Sequence, residues 1–258
     1  MTIKKFLKNK ITIHIVLDIL VILVMVARVL RRDFYPVFLC LLTLTLFNVP
    51  MLIDRKLNIE IPVLLESVVL IFIFCAEILG EIGSFYTFIP WWDTLLHTVN
   101  GFLMAAIGFT MIDLLNNSPR FHFNLSPIFV AFVAFCFSMT VGVFWEFFEF
   151  GMDQMFRTDM QKDYYIEELS SVKLHPQGIN DPIRYGEIQD TTVRYNEDGE
   201  TKEFVMEDGY LDVGIIDTMK DLIVNCIGAI VFSIIGLFYI QGRDKKNFAQ
   251  KFIPKMKE

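Results

Sequence analysis

Three pairs of ionisable side chains sit in otherwise apolar stretches, each at a spacing that puts both members on one face of a helix. Asp93 and His97 stand four apart in Trp91-Trp92-Asp93-Thr94-Leu95-Leu96-His97, with Gly101 one turn further on. Glu146 and Glu149 stand three apart in Trp145-Glu146-Phe147-Phe148-Glu149, and Asp217, Asp221 and Asn225 form a stripe at four-residue spacing. Carboxylates joined by a single imidazole suit a hard or borderline divalent ion such as Mg²⁺, Mn²⁺, Fe²⁺ or Zn²⁺. On this reading Asp93, His97, Glu146, Asp217 and Asp221 are metal ligands. Glu149 is then the general base of a reaction at the ion. The Glu-x-x-His pairs of di-iron bundles do not occur, and no Ser, Cys or Thr stands beside a base in a nucleophile pattern.

The elements that must hold these pairs are membrane spans. Of the 258 residues 54% are hydrophobic, 26 are Phe and only 21% are charged, with a mean hydropathy of +0.48. A water-soluble domain of this size cannot hide so much apolar surface. The charges, net −7, are segregated between long uncharged runs, which is how a bilayer patterns a sequence. Runs of about 20 apolar residues are needed to cross the hydrocarbon core. Six are present, near Ile11–Leu30, Phe34–Ile53, Ile61–Gly80, Asp93–Leu115, Pro127–Phe150 and Gly214–Ile240. The first follows Lys4, Lys5, Lys8 and Lys10 but lacks a small-residue cleavage site, so it reads as a retained helix. The expected fold is an all-α polytopic membrane protein. Its expected parts are spans one to five over 1–150, a polar loop over 151–212, and the sixth span with a basic tail over 213–258. Cys40, Cys75, Cys136 and Cys226 all lie in apolar runs and behave as small hydrophobes rather than as disulfide or zinc-thiolate partners.

Lys and Arg near the span ends set the orientation. The N-terminal lysines, Arg55 and Lys56, and the tail residues Arg243, Lys245, Lys246, Lys251, Lys255 and Lys257 favour cytoplasmic termini in a cell membrane. Arg28, Arg31 and Arg32 count the other way and are explained here by snorkelling to headgroups. The loop, with 15 acidic and 6 basic residues, then faces outward as a small cap on the helix ends. Within it Thr191–Tyr195 and Glu200–Met206 flank Asn196-Glu197-Asp198-Gly199, a β-hairpin signal because the turn ends in Asp-Gly.

Depth links the three pairs. The fourth and sixth spans run inward from the outer face and the fifth runs outward to it, so all three pairs fall in the first two turns below one surface. An ionisable residue at the centre of a span costs at least about 2.5 to 3.5 kcal/mol on insertion. Crowded carboxylates therefore need protons, Lys220 or a divalent cation to neutralise them. Lys220 is adjacent to Asp221 and so points about 100° away from it. Alone, Asp93 or Asp217 reads more simply as a first-turn residue that complements the helix dipole; the weight rests on the coincidence. Glu77 and Glu81 stand at the same level as supporting or plain surface groups. Trp91, Trp92 and Trp145 read as interfacial aromatics, and His122 and His175 as solvated loop residues.

At Trp92-Asp93-x-x-x-His97-x-x-x-Gly101, Trp145-Glu146-x-x-Glu149 and Asp217-Thr218-x-x-Asp221, the sequence resembles the bacterial inner-membrane family typified by YjdF. The resemblance covers about Trp91 to Gly236 and implies a multi-pass helical membrane protein; it brings no activity or cofactor with it.

Three functions compete. The first is a membrane-embedded, metal-dependent hydrolase or transferase acting on a lipid or lipid-linked substrate at the outer leaflet. The second is a cation or proton-coupled transporter, against which stand the shallow layer and the absence of a central Gly-Pro break. The third is a non-catalytic scaffold locked by the polar layer. The expected partners are the bilayer and a lipid-type substrate, with no nucleic acid.

Overall fold

The computed structural model describes residues 3–56, 59–116, 124–242 and 251–256. His122, Arg243, Lys245, Lys246 and Lys257 lie outside them. Six helices are long and apolar enough to cross a membrane: Thr12–Leu30, Phe34–Lys56, Val63–Ile82, Trp92–Asn116, Pro127–Phe156 and Ile215–Gln241. The chain is thus a polytopic, mainly helical membrane protein with a few small sheets. Its cysteines are free.

Two compact units divide the chain, residues 1–144 with 221–258 and residues 145–220. The first contains α1 (Ile3–Leu30), α2 (Phe34–Phe47), α3 (Val49–Lys56), α4 (Val63–Phe74), α5 (Phe85–Phe88) and α6 (Trp92–Asn116). It also holds the first part of α7 (Pro127–Phe156) and the greater part of α8 (Ile215–Gln241). One apolar cluster joins α1, α2 and the third span through Leu17, Val21, Phe47, Leu70 and Ile78. Another gathers Leu65, Leu103, Phe109, Val130, Ala134 and Phe232. Outward-facing Leu23, Phe38 and Phe132 remain well exposed, as lipid-facing side chains must.

Glycines set how closely the helices approach. A Cβ at Gly101 would lie 2.0 Å from the Asn225 carbonyl oxygen, and one at Gly228 would lie 2.0 Å from that of Thr98. Backbone therefore touches backbone between α6 and α8, the small-residue packing that serves where lipid removes the hydrophobic drive between helices.

The third span does not stay α-helical, for after Phe74 it widens into a π-helix over Cys75–Ile82 that carries Glu77 and Glu81. Arg28 is not simply snorkelling. Its Nη1 pairs with Asp33 Oδ2 at 3.1 Å, and its Nη2 donates to the Ile82 carbonyl at 3.3 Å, where a helix end leaves acceptors open.

The second unit is built of short antiparallel pairs: β2 (Tyr165–Ile166) with β7 (Tyr210–Leu211), β3 (Leu169–Ser171) with β4 (Ile183–Tyr185), and β5 (Thr191–Glu197) with β6 (Glu200–Met206). The last is the expected hairpin. Glu197 faces Glu200 across it, leaving Asp198 and Gly199 as a two-residue turn with φ of +54° and +83°. Positive φ at both positions is what a type I′ turn needs, and Asp-Gly meets it at little steric cost.

Three aspartates stitch the chain that leaves α7. Asp153 accepts the N–H groups of Met160 and Gln161 at 2.7 and 2.9 Å. Asp217 accepts that of Lys162 at 2.7 Å, and Asp212 those of Tyr164 and Ile216 at 2.6 and 2.7 Å. Part of the loop's negative charge is thereby used to satisfy backbone donors. The fifth span runs six residues past the expected Phe150: the helix continues to Phe156 and stops where Arg157 turns left-handed at φ +55°.

Candidate metal centre

Within the first unit α6 and α8 present one turn each to the same point. Asp93 and His97 lie four apart on α6, and the close crossing at Gly101 and Gly228 brings Asp221 of α8 alongside them. The His97 Nε2 atom stands 3.5 Å from Asp93 Oδ1 and 3.7 Å from Asp221 Oδ2. His97 and Asp221 are buried, at 8% and 3% exposure, while the Asp93 side chain keeps 31%.

A single ring nitrogen between two carboxylates makes a good hydrogen bond to neither at these lengths. The separations are also compatible with ligands around one ion. Ligands about 2.1 Å from a tetrahedral ion lie about 3.4 Å from one another, and two of the three edges here are close to that. One ligand atom from each of Asp93, His97 and Asp221 falls within 4.8 Å of the others. The group can therefore hold a metal ion, and three protein ligands leave positions open for water or another oxygen.

Glu146, Glu149 and Asp217 belong to the second unit, and all three are buried. Trp145 Nε1 donates to Glu149 Oε1 at 2.9 Å, and Asp217 Oδ2 is the acceptor for Lys162 N–H. Trp145 thus has a polar duty besides that of an interfacial aromatic. That these three carboxylates share the centre is an expectation from the sequence. Lys220 is turned to the Tyr164 ring, its Nζ 3.6 Å from the centroid, which is the cation–π use of a lysine rather than pairing with an acid.

Two polar features escaped the sequence reading. Asn100, three residues after His97, donates from Nδ2 to Asn225 Oδ1 at 3.2 Å. Its signal was an amide inside an apolar run, one turn from a ligand. In the first span His14 Nδ1 lies 3.0 Å from Asp18 Oδ2, and His14 Nε2 lies 3.1 Å from the Phe47 carbonyl. A carbonyl only accepts, so Nε2 carries a proton there. The four-residue spacing of His14 and Asp18 was the signal.

No curated protein and no solved structure matches the chain. A family model described as "Predicted membrane protein (DUF2238)" matches residues 13–170, which takes in the first five spans and the start of the polar loop. That match agrees with the YjdF-type resemblance and reaches back over the first three spans, about which the shared motifs say less. The chain belongs to this family of membrane proteins.

Proposed function

We propose that this membrane protein holds one divalent cation on Asp93, His97 and Asp221, and uses it in hydrolysis or group transfer on a lipid or lipid-linked substrate. The observation that carries the reading is His97 Nε2 set between Asp93 Oδ1 and Asp221 Oδ2 at 3.5 and 3.7 Å. Oxygen-rich ligation with one imidazole favours Mn²⁺, Fe²⁺ or Zn²⁺ over Ca²⁺, which takes six to eight oxygens. Three protein ligands leave room for a water and a substrate oxygen, and the ion supplies Lewis acidity and a lowered water pKa. The lipid preference is supported by the place of the residues near the starts of two spans, where a headgroup is within reach. The outer leaflet is supported by the Lys and Arg distribution alone.

Elemental analysis of detergent-purified protein beside a His97→Ala variant tests the centre. About one equivalent of a transition metal is expected in the wild type and a marked loss in the variant, as removal of one of three protein ligands implies. A metal-free wild type, after incubation with Mn²⁺ and Zn²⁺, sinks the reading. Metal-dependent release of headgroup or acyl chain from vesicle phospholipids tests the chemistry. Reporter fusions after Gly242 and at Gly186 test the side: cytoplasm for the first and the opposite face for the second.

A further inference from the structure

We propose that Asn225 is a positioning residue for the metal centre, fixing the spacing of α6 and α8 so that His97 and Asp221 meet. This rests on the cation reading of Asp93, His97 and Asp221.

Asn225 is 1% exposed and follows Asp221 by four residues, while its partner Asn100 follows His97 by three. The Asn100–Asn225 hydrogen bond therefore repeats the His97–Asp221 contact about 5 Å deeper, on the same two helix faces. Asn225 also reaches the fifth span. Its Nδ2 lies 3.5 Å from the Ser138 carbonyl oxygen and 3.7 Å from Met139 Sδ. The carbonyl fixes which way the amide points: nitrogen toward α7, oxygen toward Asn100. Ser138 Oγ in turn donates to the Gly101 carbonyl at 2.8 Å, so the three helices close a ring of polar contacts.

The packing has been cut to fit this side chain. A Cβ at Gly142 would come within 2.8 Å of Asn225 Nδ2, and one at Gly101 would strike the Asn225 backbone. Gly142 thus leaves space for the side-chain amide, and Gly101 for the backbone that carries it. A buried amide in an apolar span is not the cheapest filler, since a leucine leaves no polar atom to satisfy. What an amide adds is a fixed separation and register between helices, of the kind a single buried Asn gives a coiled coil. Metal sites lose about 10- to 100-fold in affinity when such outer supports of their ligands are removed.

The test measures Mn²⁺ affinity and the Mn²⁺ paramagnetic resonance spectrum in full-length protein, beside melting of the metal-free form. Asn225→Ala and Asn100→Ala cut one bond from its two ends. Each is expected to weaken Mn²⁺ binding about 10- to 100-fold and to broaden the spectrum, and the double variant to do no worse than the weaker single. Thr43→Val removes a buried hydroxyl from α2, whose bond to the Leu39 carbonyl is 2.8 Å, and controls for destabilisation as such. It is expected to lower melting and leave Mn²⁺ affinity unchanged. Should Asn225→Ala fail to fold, Asn100→Ala, half-buried, carries the test. Wild-type affinity in either foldable variant, or losses that multiply in the double, overturns the inference. A wild type that binds Mn²⁺ normally keeps the centre in place through that failure, whereas a wild type that binds none removes centre and support together.

Discussion

Gly101 and Asn225 touch through the backbone: a methyl group on Gly101 would stand 2.0 Å from the Asn225 carbonyl oxygen. Neither a rotamer change nor a small tilt relieves a clash with main chain, so α6 and α8 must separate to admit it. Gly101→Ala should therefore destabilise by about 1 to 3 kcal/mol, the usual range for overpacking. It should also weaken any ion shared by His97 and Asp221. Thermal unfolding of purified protein in detergent is the check, and an unchanged midpoint would show that the crossing is looser than described.

Metal removal should act through the same crossing. A ligand that binds only the folded state stabilises it by about 2.7 kcal/mol when present at a hundred times its dissociation constant. Chelation should accordingly lower the melting midpoint of the wild type, and re-addition of Mn²⁺ should restore it. Asp221→Asn and His97→Ala should be insensitive to the chelator. Equal sensitivity in those variants would place the ion elsewhere.

How much of this was legible beforehand differs by element. The six spans follow from run length and the hairpin from Asp198-Gly199, because bilayer thickness and positive φ are demands a local sequence must meet by itself. The pairing of His97 with Asp93 is also local. That Asp221 joins them is a tertiary fact, foreshadowed only by common depth, and it depends on glycines whose importance shows once two helices cross. Asn100 carried a weak signal because one amide in an apolar run has many uses. The π-helical turn at Cys75–Ile82 and the role of Arg28 in closing it left no pattern in the sequence, since both depend on partners far along the chain. Asp217, singled out for chemistry, also accepts the backbone N–H of Lys162, a contact that its helical spacing did not foretell.

In the polar loop, Asp163 should respond to pH. Partial burial pushes its carboxyl above the usual range, and the neighbouring Asp159, Asp212 and Asp153 push it further, against a smaller opposing pull from Lys162. A raised folded pKa means that the folded loop takes up the proton more readily than the unfolded chain. The contribution is favourable below the ordinary aspartate value and is lost as pH rises through the raised one. At neutral pH Asp163→Asn should thus raise the melting midpoint relative to wild type. The difference should shrink on acidification through the aspartate range, and also in high salt, which screens exposed charges. A variant that melts lower at neutral pH would show that the charged carboxylate is favourable.

The tail gives the last prediction. Phe252 and Ile253 are 7% and 1% exposed, buried in the cluster that includes Leu65, Leu103 and Phe232. The Phe252 ring meets Phe102 edge-on with centroids 5.2 Å apart, and Phe102 meets Phe232 in the same way at 5.0 Å. The backbone just beyond forms only a two-residue strand, β8 (Lys255–Met256), paired with β1 (Ile59–Glu60). So short a ladder is marginal alone, and the apolar doublet must supply most of the docking. Phe to Ala at a packed site costs about 3 to 5 kcal/mol where the surroundings cannot escape the cavity. A tail can escape by undocking, so the loss is capped by the local docking free energy rather than felt by the whole fold. Phe252→Ala should therefore leave the global melting midpoint nearly in place while trypsin cleavage after Lys251 accelerates several-fold, as followed by mass spectrometry. Ile253→Ala should do the same, and Phe252→Leu, which keeps much of the buried area, should do so less. Unchanged cleavage in Phe252→Ala would mean that the ring adds nothing to holding the tail. A large fall in the midpoint would instead make Phe252 a member of the common core.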